Sequence, residues 1–288
     1  MAGMGLTSGL VRDFRENGFV IVPGVLGRAE LARAEEAIAG IVAEERALGE
    51  QATRLEWEPQ RVDGERVPRR IYHPVHQHPA FERFAMSDAV LDKVEAIFGP
   101  NLQFHHSKLN IKPAKVGSVV EWHQDFAYFP HTNTDLLACL IYLDDASEEN
   151  GCLQVIPGQH RGPAFDHTLH GAFAGKITQQ GWDRGLPAPV KCEGEAGAMI
   201  MMHCMTPHAS LPNRSGRPRR TLIFEYRAAD AYPIYFHEQT HRSEAYTRQV
   251  RGQRIPTARF TLTSFPIPQF QGDHTSLYDL QSRSEPNL

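Results

Sequence analysis

From Leu102 onward the chain is written in short β-type runs separated by glycine, proline and asparagine, and this texture constrains the fold more than any other feature. The runs occupy residues 102–111, 118–123, 136–143, 152–156, 196–203 and 220–227. Strand-forming segments that follow one another with turn residues between them, and without helical periods in the gaps, point to an all-β sandwich or barrel. The fold class expected is therefore mainly β with flanking helices.

The helices belong ahead of this core. Residues 8–18 read as a short amphipathic helix stopped by Gly18, and Phe19-Val20-Ile21-Val22 reads as a strand before a Pro-Gly turn. From Arg28 to about Leu48 the apolar residues Leu31, Ala34, Ile38, Ile41 and Val42 recur at helical spacing, predicting a long surface helix. A further helix fits Ala89–Phe98, with Ser87 or Asp88 as N-cap and Gly99-Pro100 as its stop. Residues 51–80 are polar, Arg-rich and interrupted by proline, and read as irregular loop. The tail from about Gly272 is polar and reads as loosely held. One domain over 1–288 is expected: a helical N-terminal layer (1–100, with the variable loop 51–80), a β core (101–230) and a C-terminal extension (231–288). A single β-sandwich or barrel of 288 residues is within the usual range.

Charge and cysteine usage exclude some partners. The formal net charge is −4 at pH 7, so no basic footprint for nucleic acid or an anionic membrane is expected. No apolar run approaches the ~20 residues that span a bilayer. The opening residues lack a basic region followed by an apolar one, and the four cysteines form no CxxC pair; both suit a cytoplasmic protein with reduced thiols. Asn213-Arg214-Ser215 matches a glycosylation sequon and is then incidental.

The segment Glu121-Trp122-His123-Gln124-Asp125-Phe126 carries the chemistry. On a strand, residues i and i+2 face the same side, so His123 and Asp125 can reach one metal. Imidazole plus carboxylate begins a facial two-histidine, one-carboxylate set, which binds non-haem iron(II) and leaves coordination positions open. The third ligand has to return from a distant strand, and both His203 and His208 are candidates. Arg217, Arg219 and Arg220 follow them; a buried arginine there could clamp a carboxylate through its planar fork. His73, His76 and His78 are spaced like ligands, but Pro74 and Pro79 mark an extended loop and no second metal is expected. Arg54, Arg61, Arg66, Arg69 and Arg70 are expected to be mainly solvated, with some able to meet an anionic substrate.

Taken in order, these motifs resemble the phytanoyl-CoA dioxygenase family of Fe(II)/2-oxoglutarate oxygenases, which includes ectoine hydroxylase. The resemblance begins at the stretch from Phe14 to Leu26, continues through Asn110-Ile111-Lys112-Pro113 and Trp122-His123-Gln124-Asp125, and takes in the stretch from Asn150 to Arg161. It closes on His208-x-Ser210 and on Arg219, eleven residues after His208. The resemblance implies a double-stranded β-helix, or jelly-roll, cupin-like core. It implies that His123, Asp125 and His208 hold Fe(II), that Arg219 and Ser210 bind the distal carboxylate of 2-oxoglutarate, and that Asn110 lies near the chelating end of that cosubstrate. Where the family often carries glutamine four residues before Asn110, this chain has His106. Phe126, Tyr128, Phe129 and His131 would line the mouth of the pocket, and Trp57 in the loop would help recognise the primary substrate.

The activity implied consumes O2 and 2-oxoglutarate, releases succinate and CO2, and most often hydroxylates a small molecule. Because Asp125 occupies the carboxylate position, halogenation is disfavoured. Two other readings use the same core: a catalytically silent jelly roll that binds a small molecule, and a cupin-type isomerase or hydrolase using another metal. The complete triad with its arginine argues against the first, and succinate formation would separate the second. The chain's final residues carry no peroxisomal address, so a small polar or natural-product substrate is expected over an acyl-CoA. Oligomeric state is not legible.

Overall fold

The computed structural model describes residues 2–51, 53–235, 243–270 and 276–282. Helix α1 (Ala2–Asn17) leads into β1 (Phe19–Val22), and α2 (Arg28–Leu48) follows. Gly18 ends α1 at φ +79°, where a Cβ would lie 2.5–2.7 Å from His160 and Thr206, so only glycine fits this turn. In α2, Ala34, Ala37, Ile38, Ile41 and Glu45 are buried, a single face at i, i+3, i+4 and i+7 spacing. Its two buried alanines, Ala34 and Ala37, let the helix backbone sit close to the layer beneath.

Residues 51–80 are the main departure from the sequence reading. Instead of an irregular loop they form a hairpin, β2 (Leu55–Val62) and β3 (Glu65–Tyr72), then helices α3 (Pro74–Gln77) and the start of α4 (Pro79–Ala85). Asp63-Gly64 makes the turn, with both residues at positive φ. Of the arginines that suggested a solvated loop, Arg61 and Arg66 are exposed and Arg54 pairs with Glu44 and Glu45 of α2, whereas Arg69 donates to Glu56, with Tyr72 donating to the other Glu56 oxygen at 2.8 Å. Arg69 and Arg70 are buried. Helix α5 (Asp88–Phe98) completes the layer, with Ser87 as its N-cap residue.

The β core follows. Its strands are β4 (Leu102–Lys112), β5 (Val120–His123), β6 (Leu136–Tyr142), β7 (Leu153–Val155), β8 (Thr168–Leu169), β9 (Ala172–Phe173), β10 (Val190–Cys192), β11 (Met199–His203), β12 (His208–Ser210), β13 (Arg219–Ala228) and β14 (Arg248–Arg251). The larger sheet is antiparallel and runs β1-β11-β6-β13-β4-β3-β2, with β14 also on β4. The smaller runs β10-β7-β12-β5. Together they form the jelly roll. All seven residues of β6 are buried, because one face packs on the N-terminal helices and the other looks into the roll. No helix among the described residues is long and apolar enough to cross a membrane. All four cysteines are buried and free.

Two further expectations meet the structure here. Asn213 is buried, and its amide donates to the carbonyls of Lys112 (3.0 Å) and Arg217 (2.7 Å), so it builds a turn and presents no sugar acceptor. The tail from Gly272 falls partly outside the described residues, but Leu277–Ser282 form a short helix, α6, with Leu277, Tyr278 and Leu280 buried.

Candidate metal centre

His123 ends β5 and His208 opens β12, and the two are cross-strand partners. Asp125 sits one step further on, in the 3-10 turn that follows β5. One ligand atom from each of the three lies within 4.8 Å of the others, and all three residues are buried. His123 Nε2 is 3.7 Å from Asp125 Oδ1, and His208 Nε2 is 3.8 Å from Asp125 Oδ2. These separations are too long for hydrogen bonds and suit donors surrounding a common centre.

The histidines are fixed in the orientation a ligand needs. His123 Nδ1 is 2.7 Å from the Glu121 carbonyl and His208 Nδ1 is 3.0 Å from the Thr206 carbonyl. A proton on each Nδ1 satisfies these carbonyls and leaves the Nε2 lone pairs facing inward. Burial holds both imidazoles below their usual pKa, hence neutral. Burial alone would raise Asp125, but the cationic surroundings, Lys108 foremost, keep the carboxyl low. Two neutral imidazoles and one carboxylate fit a divalent iron.

Gln124, between the ligands, ties the surrounding loops together. Its side chain donates to Met205 O at 2.8 Å and accepts from Phe165 N at 2.8 Å, while its backbone N–H donates to His167 Nε2 at 3.0 Å. It therefore couples the turn carrying Asp125 to the approach to His208.

The ligands open on a chamber floored by the larger sheet, whose side chains form rows across the strands. Arg219 pairs with Lys112 in one row. Thr221, Asn110, Arg70 and Tyr142 form the next, and Ile223, Lys108 and Leu140 the third. Glu225 and Ala138 lie beyond. Rows two residues apart are separated by about 7 Å.

Arg219 is buried; its terminal nitrogens reach Gly151 O (2.6 Å) and Thr221 Oγ1 (2.5 Å), and its Nε is buried without a hydrogen-bond partner among the described residues. Gly151 has φ +76°, and a Cβ there would lie 2.3 Å from Leu211 O, which explains glycine at this position. Burial lowers the pKa of Arg219, and lowers that of Lys112 further because Arg219 adds its charge. A chamber end with two buried cations and an unspent donor suits a carboxylate.

Residues 14–221 match the family model described as phytanoyl-CoA dioxygenase. The chain belongs to that family. It is 34% identical over 230 residues, 77% of this chain and 79% of the relative, to a probable alpha-ketoglutarate-dependent hypophosphite dioxygenase of Stutzerimonas stutzeri. It is 24% identical over 245 residues (78% and 76%) to an ectoine dioxygenase of Bordetella parapertussis. Among solved structures, the epimerase SnoN in complex with Fe3+, alpha ketoglutarate and nogalamycin RO aligns over 80% of this chain and 86% of its own, at 25% identity and a TM-score of 0.62. The protein is an Fe(II)/2-oxoglutarate-dependent dioxygenase with a jelly-roll core.

The other sequence candidates are distributed unevenly around this dioxygenase's chamber. Ser210 and Asn110 line it. Asn110 accepts from Arg70 Nε at 2.9 Å. Tyr128 packs its ring edge-on to His123 at 5.7 Å and donates to Gly175 O. Phe129 lies against His106 at 4.8 Å, and His106 Nδ1 is 3.2 Å from His105 Nδ1. Phe126, Tyr128, Phe129, His131, His106 and Trp57 are not among the residues that line the chamber. Phe126 is fully buried against Phe265, and Trp57 packs under the N-terminal layer with Arg66 over its ring at 4.7 Å. His203 turns its Nδ1 to Met205 N at 3.1 Å, away from Asp125. Arg220 pairs with Asp144 on the opposite face of β13.

His73 stacks on Tyr246 at 4.0 Å, His76 packs tilted against it at 4.3 Å, and neither is gathered with His78 into a ligand set. A second trio, His105, His131 and Glu244, does come together. Arg227 occupies it, 2.6 Å from His131 Nε2 and 2.7 Å from Glu244, and makes it an ion-paired network.

Sequence reasoning missed Lys108 and Glu225, and underweighted Arg70. Lys108 and Asn110 share one face of β4, and Glu225 follows Arg219 at even spacing on β13. Alternation could have found all three once those strands were known to floor the site.

Proposed function

We propose that this dioxygenase hydroxylates a small polar molecule at an iron held by His123, Asp125 and His208. The carrying observation is the convergence of two Nδ1-anchored imidazoles and one buried carboxylate beside a cationic chamber. Iron(II) there, with 2-oxoglutarate and O2, supplies the oxidising chemistry that places one oxygen atom in the substrate and one in succinate, with loss of CO2.

The chain's residues orient and shield that chemistry. Arg219, with Lys112 beside it, receives the distal carboxylate of 2-oxoglutarate. Ser210 supports that end, and Asn110 and Thr221 flank the cosubstrate along the second row. Leu277 and Tyr278 of α6 also line the chamber and limit access of water. A small substrate is supported by the relatives named for hypophosphite and ectoine, both compact polar compounds. The test is iron-loaded protein supplied with 2-oxoglutarate and O2 over a panel of small polar candidates, followed by succinate release and product mass. Substrate-stimulated succinate with a product gain of one oxygen is expected. Stoichiometric turnover with a product lacking that oxygen would replace hydroxylation by desaturation or ring formation.

A further inference from the structure

The two imidazole ligands are anchored differently. Glu121, whose carbonyl receives His123 Nδ1, belongs to β5 itself. Thr206, whose carbonyl receives His208 Nδ1, stands in the turn ahead of β12, outside any strand. The peptide that orients His208 therefore has no sheet ladder of its own to hold it.

A short chain of hydrogen bonds to the helical layer takes the ladder's place. Thr206 is 0% exposed. Its N–H closes the turn on His203 O at 2.9 Å, and its hydroxyl donates to Gly18 O at 3.0 Å. Gly18 ends α1, where its own N–H donates to Phe14 O at 2.8 Å. The missing side chain at Gly18 lets Thr206 approach, since a Cβ there would lie 2.6 Å from Thr206 Oγ1. A β-branched side chain is stiff about χ1, and a residue before proline is confined to extended backbone. With Pro207 next in the chain, fixing the Thr206 hydroxyl on Gly18 O fixes the direction of the Thr206 carbonyl. The carbonyls on either side are tied as well: Met205 O accepts from Gln124 at 2.8 Å, and Pro207 O accepts from Ile156 N at 3.0 Å.

We propose that Thr206 is a positioning residue for the iron ligand His208, and that through its hydroxyl the end of α1 governs how tightly the iron is held. This rests on the reading of His208 as a ligand, and extends it to a residue that itself donates nothing to the metal. Loss of the hydroxyl frees the Thr206–Pro207 peptide to turn, which loosens the Nδ1 bond that keeps His208 Nε2 facing inward. Gly18 O keeps its bond from His203 N at 2.9 Å, so no buried carbonyl is left unsatisfied. The effect therefore falls on metal affinity more than on the fold.

The test is anaerobic titration of metal-free protein with iron(II) against a coloured ferrous chelator, beside urea unfolding of the same metal-free samples. Thr206→Val keeps the shape and removes the hydroxyl. It should weaken iron binding roughly tenfold, the scale of disturbing the outer partner of a ligating histidine, with a urea midpoint close to that of the wild type. Thr206→Ser keeps a hydroxyl and should recover most of the affinity. Arg161→Ala removes one bond to Arg15 O at the same end of α1 without touching the turn, and Arg15 O retains His160 Nε2. Its iron affinity should equal that of the wild type. If Thr206→Val does not fold, Thr206→Ala carries the same comparison with Thr206→Ser. Wild-type affinity in the hydroxyl-free variant would overturn the proposal. Equal weakening in Thr206→Ser or in Arg161→Ala would overturn it too, by showing a general loosening of the layer. A wild type that binds no iron(II) would instead strike at the metal reading itself.

Discussion

Arg219 is the residue on which cosubstrate affinity should depend most. Its Nε is buried without a partner among the described residues, which costs free energy unless a ligand satisfies it. Arg219→Ala should raise the KM for 2-oxoglutarate by roughly tenfold to a hundredfold, corresponding to ~1.5–3 kcal/mol for a charge-assisted pair. Arg219→Lys should recover part of the loss, because an ammonium cannot reproduce the fork. Steady-state kinetics in 2-oxoglutarate checks this; an unchanged KM would move the carboxylate site, with Lys112 next to be tested. At this scale the sequence was informative where motif spacing carried the information. His123, Asp125, His208 and Arg219 could be named from it. Phe126 and Trp57 could not be placed, since both are apolar and their side chains satisfy the core as readily as a pocket wall. Lys108 and Glu225 gave no local signal, because the significance of each comes from its neighbour on the adjoining strand.

Among the elements, α6 and the β2–β3 hairpin determine how the chamber is closed. Gln281 of α6 accepts from Glu121 N at 2.9 Å and donates to Gly175 O at 2.8 Å, joining the last described helix to the strand that ends in His123. Gln281→Ala takes this acceptor from Glu121 N, while Gly175 O keeps the bond from Tyr128. The expected cost is ~1–3 kcal/mol for the one unsatisfied group, read as a lower urea midpoint with an unchanged slope. An unchanged midpoint would show that α6 is not docked against β5. The helix escaped the sequence reading because its polar residues are the ones that make these buried bonds. The hairpin escaped it for a related reason. Arg69 pairs with Glu56 and Glu58 accepts from Ser118, so a segment that looks solvated in one dimension packs as an edge of the larger sheet, carrying Arg70 to Asn110. The helices α2 and α5 were legible because their apolar periodicity is undisturbed by function.

Over the whole molecule, neutral buried histidines tie stability to pH. Burial lowers His105 and His167 to about 4 and His203 to about 3. In the unfolded chain these groups take up protons near pH 6.5. The unfolded state therefore binds more protons below that value, and the stability present above it is lost as pH falls. Each group contributes a slope of up to about 1.4 kcal/mol per pH unit between the unfolded and folded values. Glu225, raised to about 7, and Glu121, also raised, oppose this as pH falls below 7, but burial holds His106, His123, His131 and His208 low as well, and the histidines set the sign. Urea unfolding of metal-free protein should give a lower midpoint at pH 5 than at pH 7; equal or rising stability would mean that the histidines are not buried neutral.

The central claim is that His123, Asp125 and His208 hold the iron, and the direct measurement compares His208→Ala with His203→Ala. Each variant is reconstituted anaerobically with iron(II), its bound metal is quantified, and 2-oxoglutarate turnover is followed. The geometry predicts that His208→Ala loses bound iron and turnover while keeping its fold. His203→Ala, whose ring faces Met205 and not Asp125, should retain both. Full iron occupancy and turnover in His208→Ala, with both lost in a folded His203→Ala, would contradict the account.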